Sequence, residues 1–254
     1  MQQIKKWFYE YFKRQYRRRG LAYFMARTVL VDHYYPNLCI HWLRNALFGK
    51  PVIHAIGDSH TKILEFVPGV SVHHIGQATA HNLYKENNSS HSRELLFHTV
   101  SGMCPSKDIL LLVFGEIDAR VHIYNQHIKT GRPIQSLILD TVSNYGKVIK
   151  ELHGKGFKVV ILGIPPAGVH VYKPFTDGTY TPHNYGSLQE RIGISLLFND
   201  LLKEFCELNG ILFIDVLSIS KDKDGSMRKD YAADEAHLNT KIVPFVMEKL
   251  KPLL

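Results

Sequence analysis

The sequence has few cysteines, and those it has are far apart. Cys39, Cys104 and Cys206 are an odd number in 254 residues and form no Cys-x-x-Cys pair. This spacing argues against a disulfide framework and against a zinc site built from paired cysteines. A reducing compartment fits such cysteine usage best.

Long hydrophobic runs are also missing. No apolar stretch approaches the roughly 20 residues that a membrane-spanning helix needs. The opening MQQIKKWFYEYFKRQYRRRG is interrupted by charge throughout, whereas a secretory signal peptide has an uninterrupted apolar centre. We therefore expect a cytoplasmic protein.

Acidic residues are scarce in one part of the chain. Residues 1–50 hold ten Lys/Arg and two Asp/Glu, whereas the rest of the chain holds 21 of each, so the first segment alone accounts for the net charge of +8. Pro51 stands at the change in composition. We predict a basic helical segment over 1–50 and an α/β domain over 51–254.

The basic segment has helical periodicity. Its apolar residues recur every three or four positions, at Ile4, Trp7, Phe8, Tyr11, Phe12 and Tyr16. A basic amphipathic helix with Trp and Tyr on its apolar side suits an anionic membrane surface, so residues 1–24 are a candidate for docking at the inner membrane face. The same stripe would also serve to pack on a partner protein or on the chain's own domain. The neutral remainder of the chain argues against nucleic acid as a partner.

After Pro51, short apolar runs alternate with helical patterns. The predicted strands are 52–56, 70–75, 108–114, 158–164 and 211–216, and the predicted helices are 90–101, 136–153, 188–208 and 240–250. The third run, DILLLVF, is nearly all apolar, which is typical of a parallel strand buried on both faces. The alternation predicts an α/β fold, with a doubly wound, flavodoxin-like, five-stranded parallel sheet and helices on both faces.

Polar residues and glycines follow several of these strands, where such sheets form their binding sites. The sequence Gly57-Asp58-Ser59-His60 follows the first strand, Gly76 the second, and Gly115 to Arg120 the third, while Asp234 and His237 come after the fifth. A nucleophilic serine needs a base, and the base needs an acid that holds its tautomer. Asp-x-x-His supplies both, and Gly76 could offer an unobstructed N–H to an oxyanion. Each motif alone also has a structural explanation, since Asp and Ser cap helices and Gly permits tight turns.

In this order the motifs resemble those of the SGNH, or GDSL-like, hydrolase superfamily, over roughly residues 52–250. The resemblance implies that Ser59 is the nucleophile and that its N–H is an oxyanion donor. It also implies that Gly76 is the glycine of the second block, that His237 is the base and that Asp234 orients it.

The third block departs from the family pattern. The family usually reads Gly-x-Asn-Asp, and its Asn completes the oxyanion hole, whereas GEID places Ile117 at that position. Arg120 and His122 are candidates to bind a substrate anion or to replace the lost donor. Glu116 and Asp118 either join them in substrate binding or form a buried network that ties the third strand to its neighbours.

The stretch FGEIDAR with a downstream His resembles a sub-branch often associated with bacterial surface-glycan biosynthesis. The implied function is a serine-dependent acyl-ester hydrolase, of carbohydrate esterase or deacetylase type, that acts on an acylated carbohydrate or glycan precursor. An O-acyltransferase with the same Ser-His-Asp site, or a non-catalytic glycan-binding or assembly protein of the same fold, are the alternatives. We expect no cofactor. No metal site is expected either, because the other histidines lack ligand spacing.

Overall fold

The computed structural model describes residues 51–169 and 186–254. The predicted basic helix and its docking surface, within residues 1–50, lie outside the described residues. Five strands form one sheet: β1 (Ile53–Gly57), β2 (Val70–His74), β3 (Ile109–Val113), β4 (Lys158–Leu162) and β5 (Leu212–Ile214). Each lies within one of the five predicted strands or extends one residue beyond it.

The sheet is parallel throughout, with the strand order β2-β1-β3-β4-β5. This order is flavodoxin-like and confirms the predicted fold class. The chain reverses its direction of winding between β1 and β3, so a crevice is expected beyond their carboxyl ends. Gly57 ends β1 at this point, in register with His74 on one side and Val113 on the other.

Six α-helices accompany the described strands: α1 (Ser92–Val100), α2 (Ile123–Thr130), α3 (Ile134–Gly154), α4 (Leu188–Leu208), α5 (Val216–Ser220) and α6 (Val243–Leu250). Shorter helical turns cover Ser59–Leu64, Ala80–Asn82, Asp118–His122, Thr240–Ile242 and Lys251–Leu253. None of the helices in the described ranges is long and apolar enough to cross a membrane.

Alternate side chains of the strands supply two hydrophobic cores, one on each face of the sheet. On β3, Leu110 and Leu112 pack against α1, α3 and α4. Ile109, Leu111 and Val113 point the other way, toward the turn after β1 and toward α6. Because β3 is buried on both faces, it needs apolar residues at every position, and this explains its uniform composition.

Helix α4 begins and ends where its sequence pattern predicted. Its first turn has a capping box, in which Ser187 Oγ accepts a hydrogen bond from the Glu190 N–H and the Glu190 carboxylate accepts one from the Ser187 N–H. The fifth strand is shorter than predicted because Asp215 caps α5, its carboxylate accepting from the Ser218 N–H. Helices α2 and α5 were not predicted.

Gly115 occupies a backbone conformation that only glycine adopts easily. Its φ is +111°, and a Cβ there would lie 2.7 Å from the Phe198 ring on α4. We expect Gly115→Ala to lower the free energy of unfolding by about 2 kcal/mol or more, through backbone strain and overpacking. Urea denaturation measures this change. Gly102→Ala is the matched control, since no atom lies within 4 Å of a Cβ at that exposed turn, and equal effects of the two substitutions would contradict the prediction.

Candidate active site

Ser59 lies at the start of the helical turn that follows β1, beyond the carboxyl edge of the sheet. Asp58 caps this turn, its carboxylate accepting a hydrogen bond from the His60 N–H at 2.9 Å. Gly57 lets the strand approach its neighbour closely, because a Cβ there would lie 2.1 Å from the Val113 carbonyl oxygen. Ser59 is therefore presented, half-buried, on a tightly constrained turn.

The Ser59 hydroxyl is hydrogen-bonded to an imidazole 178 positions away in the sequence. Its Oγ lies 2.7 Å from Nε2 of His237. On the other side of the ring, Nδ1 lies 2.8 and 2.9 Å from the two carboxylate oxygens of Asp234. Since a carboxylate accepts the Nδ1 proton, Nε2 is left able to accept the proton of the serine.

Asp234 is held in place by its own backbone neighbours. Its Oδ1 accepts hydrogen bonds from the N–H groups of Ala236 and His237, both at 2.8 Å. Partial burial acts to raise the pKa of Asp234, but these bonds and the one from the His237 ring outweigh burial and hold the pKa below its usual value. The residue is therefore a carboxylate at neutral pH, as an orienting acid must be.

A second histidine, which the sequence analysis did not single out, lies behind the first. The ring of His60 stacks on that of His237, with centroids 4.4 Å apart and planes inclined by 29°. Its Nδ1 donates to Asp58 Oδ1 at 2.9 Å and its Nε2 to the Ala236 carbonyl oxygen at 3.1 Å. Nε2 also lies 3.8 Å from the carboxylate of Glu116. His60 thus contacts residues that follow β1, β3 and β5.

His60 is a buried cation at neutral pH. Burial alone would lower its pKa, but the charges of Glu116 and Asp58, together with the hydrogen bonds to Asp58 and Ala236, raise it to about 9. Both ring nitrogens then carry protons, and each has an acceptor. The only sequence signal for this role is the position of His60, directly after the serine.

Glu116 and Arg120 form an ion pair on the turn after β3. Nε and Nη2 of Arg120 lie 2.5 and 3.3 Å from the two carboxylate oxygens. Glu116 is buried, whereas about a third of the Arg120 side chain is exposed. The carboxylate therefore lies between two cations, Arg120 on one side and His60 on the other.

Asp118 connects the turn after β3 to the segment after β2. Its two carboxylate oxygens accept hydrogen bonds from the N–H groups of Ala80 and His81, at 2.7 and 3.1 Å. Burial raises its pKa to about 7, although these bonds act in the opposite direction. The sequence left two roles open for Asp118, substrate binding or a buried link between strand ends. In the structure both carboxylate oxygens form the link.

The other predicted residues lie along the same edge of the sheet. Gly76 has a φ of +98°, which requires glycine, and it follows Ile75, whose N–H donates to the Gly57 carbonyl oxygen at 2.9 Å. Ile117 is half-buried, at the point where the resemblance expects Asn. His122 is exposed at the end of a π-helical turn, Asp118–His122; such turns are frequent at functional sites. Within the described ranges, no group of three or more His, Cys, Asp or Glu residues is arranged to hold a metal.

The raised pKa of His60 predicts a pH-dependent stability. The folded protein holds this proton more tightly than the unfolded chain, in which the pKa is 6.5. The contribution of His60 is therefore complete below about pH 6.5 and is lost as the pH rises through about 9, a change on the order of 3 kcal/mol.

Urea unfolding of the wild type and of His60→Gln at several pH values between 6 and 9.5 measures this change. The stability difference between the two proteins should shrink as the pH rises. A difference that stays constant across the range would show that another group titrates.

Comparisons with known proteins agree with this architecture. Neither the models of protein families nor the curated proteins contain a match to the sequence. Among solved structures, a candidate acylhydrolase from Bacteroides fragilis matches with a TM-score of 0.55 and 17% identity, over 86% of this chain and 96% of that one. A GDSL-like lipase from Bacteroides thetaiotaomicron matches with a TM-score of 0.55 and 14% identity, over 86% and 97%. At this identity the likeness concerns the fold, and the described chain has the fold of the SGNH/GDSL-like hydrolases.

Proposed function

We propose that this protein is a serine esterase that cleaves acyl esters of a carbohydrate or glycan precursor. The observation that carries the proposal is the hydrogen-bonded series from Ser59 through His237 to Asp234 at the carboxyl edge of the sheet. The fold shared with an acylhydrolase and a lipase supports ester chemistry. The choice of a glycan substrate rests on the resemblance of FGEIDAR to the glycan-associated sub-branch.

The reaction would follow the two steps of a serine hydrolase. Ser59 Oγ attacks the ester carbonyl carbon while His237 Nε2 takes the hydroxyl proton, and Asp234 stabilises the resulting imidazolium. The tetrahedral intermediate then collapses, the C–O bond breaks, and His237 returns the proton to the departing sugar hydroxyl. Water, activated by His237, hydrolyses the acyl-enzyme in the same way and releases the acid. A sugar hydroxyl in place of this water would make the reaction a transfer.

Two backbone groups are available for the oxyanion. In the part of the chain that the structure describes, neither the Ser59 N–H nor the Gly76 N–H donates to another protein group. The Ile117 side chain cannot add a third donor. Nε and Nη2 of Arg120 are bonded to Glu116, and His122 is exposed. We therefore expect slow turnover of small, unspecific esters.

The nucleophile is tested by Ser59→Ala. We expect the wild type to be labelled by a fluorophosphonate probe and to hydrolyse p-nitrophenyl acetate, and the variant to lose labelling and at least about 10³-fold of its kcat. Ser101→Ala, at an exposed turn, is the control and should behave as wild type.

Equal labelling and turnover in the wild type and in Ser59→Ala would refute the proposal and favour a binding or assembly protein. For an active wild type, product analysis with a free sugar present separates hydrolysis from acyl transfer.

The incomplete oxyanion hole predicts a gain of function. Ile117→Asn restores the side-chain donor that the family pattern carries, and one such donor is worth about 10² to 10³ in kcat where it is well placed. We expect kcat for p-nitrophenyl acetate to rise by at least about tenfold. Ile117→Leu controls for the loss of packing and supplies no donor. If Ile117→Asn is no faster than Ile117→Leu, the side chain at this position does not face the oxyanion.

A further inference from the structure

A cavity lies beside the proposed triad, on the side of α4. Together with the open solvent at its mouth, it comprises about 300 Å³ of empty space. Its walls come from the turn after β3, the segment after β4, the first turns of α4 and the loop that carries His237. Among the described lining residues, the charged side chains are Glu116, Arg120 and Arg191.

Arg191 is a buried guanidinium with an incomplete set of partners. It is 5% exposed, and its Nη1 donates to the Gly168 carbonyl oxygen at 2.7 Å. Its Nε is buried without a hydrogen-bond partner, and no carboxylate in residues 51–169 or 186–254 forms an ion pair with it. Burial, and then the positive charge of Arg120, lower the pKa of Arg191. A buried charge without compensation is costly, so a negative group at this place would stabilise it.

The charges around the cavity favour an anion. Glu116 is the one acid among the lining residues that the structure describes, and its carboxylate is already bound by Nε and Nη2 of Arg120. The described lining residues therefore carry two guanidinium groups and one carboxylate. Planar guanidinium groups bind carboxylate and phosphate oxygens well, because their N–H donors match the spacing of the acceptor oxygens.

The cavity is close to the reacting groups. Ala236, which precedes His237 in the chain, forms part of its wall. Gly168 packs against the same loop so closely that a Cβ would lie 1.8 Å from the Glu235 carbonyl oxygen. The cavity therefore adjoins the loop that carries His237, and a substrate with its ester at Ser59 would extend toward Arg191.

We propose that Arg191 and Arg120 form a subsite for an anionic group of the substrate, a carboxylate or a phosphate, next to the ester that Ser59 attacks. The proposal deepens the esterase function and rests on it for the position of the ester. It narrows the substrate class to acylated sugars that carry an acid, such as a uronic acid or a sugar phosphate. With a neutral acylated sugar bound, no carboxylate among the described residues would pair with Arg191.

A purely structural Arg191 is the rival explanation. In that case its bond to Gly168 would only support the loop of residues 234–237, and its removal would slow all esters to the same degree. The two roles predict different ratios of kcat/KM between anionic and neutral substrates. This ratio can be compared between variants even when their overall activities differ.

The kinetic test uses three substrates with the same ester: O-acetyl methyl glucoside, O-acetyl methyl glucuronide and O-acetyl glucose 1-phosphate. We expect the wild type to favour at least one anionic substrate over the neutral one by about tenfold or more in kcat/KM. Arg191→Gln and Arg120→Gln should each reduce this ratio at least about fivefold, and Arg191→Lys should retain part of it. Arg132→Gln, which breaks an exposed ion pair with Asp140, should leave the ratio as in the wild type. A ratio that is unchanged in Arg191→Gln overturns the proposal.

A binding test separates this proposal from the esterase function. Calorimetric titration with methyl glucuronide and with glucose 1-phosphate, neither of which has an acyl ester, needs no turnover and is carried out on the wild type and on Ser59→Ala. Binding of either anion that weakens with salt and is lost in Arg191→Gln supports the subsite, even if Ser59 proves inactive. Absence of binding by the folded wild type overturns it, whatever the activity. If Arg191→Gln does not fold, Arg120→Gln and the wild-type titrations decide.

Discussion

The hydrogen bonds of the buried His60 ring hold together the segments on which the site depends. The ring donates to Asp58 on its own turn and to Ala236 on the loop after β5, and it faces Glu116 after β3. His237 stacks on the same ring. The orientation of the His237 ring is therefore set by His60, whose two ring nitrogens are both hydrogen-bonded. The short distance from Ser59 to His237 is therefore supported by the contacts of a third residue, His60. A triad on flexible loops would lose the alignment that proton transfer requires.

The same contacts balance the charge buried beneath the site. Asp58, His60, Glu116 and Arg120 follow one another with alternating sign, each next to a group of opposite charge. Such a series stabilises buried ionised groups, because the desolvation cost of each charge is offset by a neighbour of opposite charge. Arg191 extends the series with a second positive charge beside Arg120, and among the described residues the alternation ends there. The proposed anionic group of the substrate would continue the alternation.

The fold was largely predictable because its elements have strong local causes. A strand buried on both faces has to be apolar at every position, and β3 shows this in five consecutive residues. Helix α4 begins at a capping box formed by Ser187 and Glu190, which is a local signal in the sequence. Helices α2 and α5 were not predicted because they are too short to show a clear apolar periodicity. In addition, α2 directly follows a π-helical turn, whose hydrogen-bond spacing differs from that of an α-helix. The length of β5 was misjudged because the Asp215 cap interrupts an apolar run.

The candidate site, like the fold, was predictable from the sequence only in part. The sequence by itself determined which residues are chemically able to act, because Ser59, Asp234 and His237 follow predicted strands in an order that turn formation alone does not require. It also indicated that Ile117 lacks a donor. Only the tertiary structure decided which groups meet: the contact of Ser59 with His237 joins residues 178 positions apart, Asp118 is taken up by two backbone N–H groups, and Arg191 is buried beside Arg120. Hydrogen bonding and charge compensation act over a few ångströms in space, so their outcome depends on which distant segments the sheet brings to one edge.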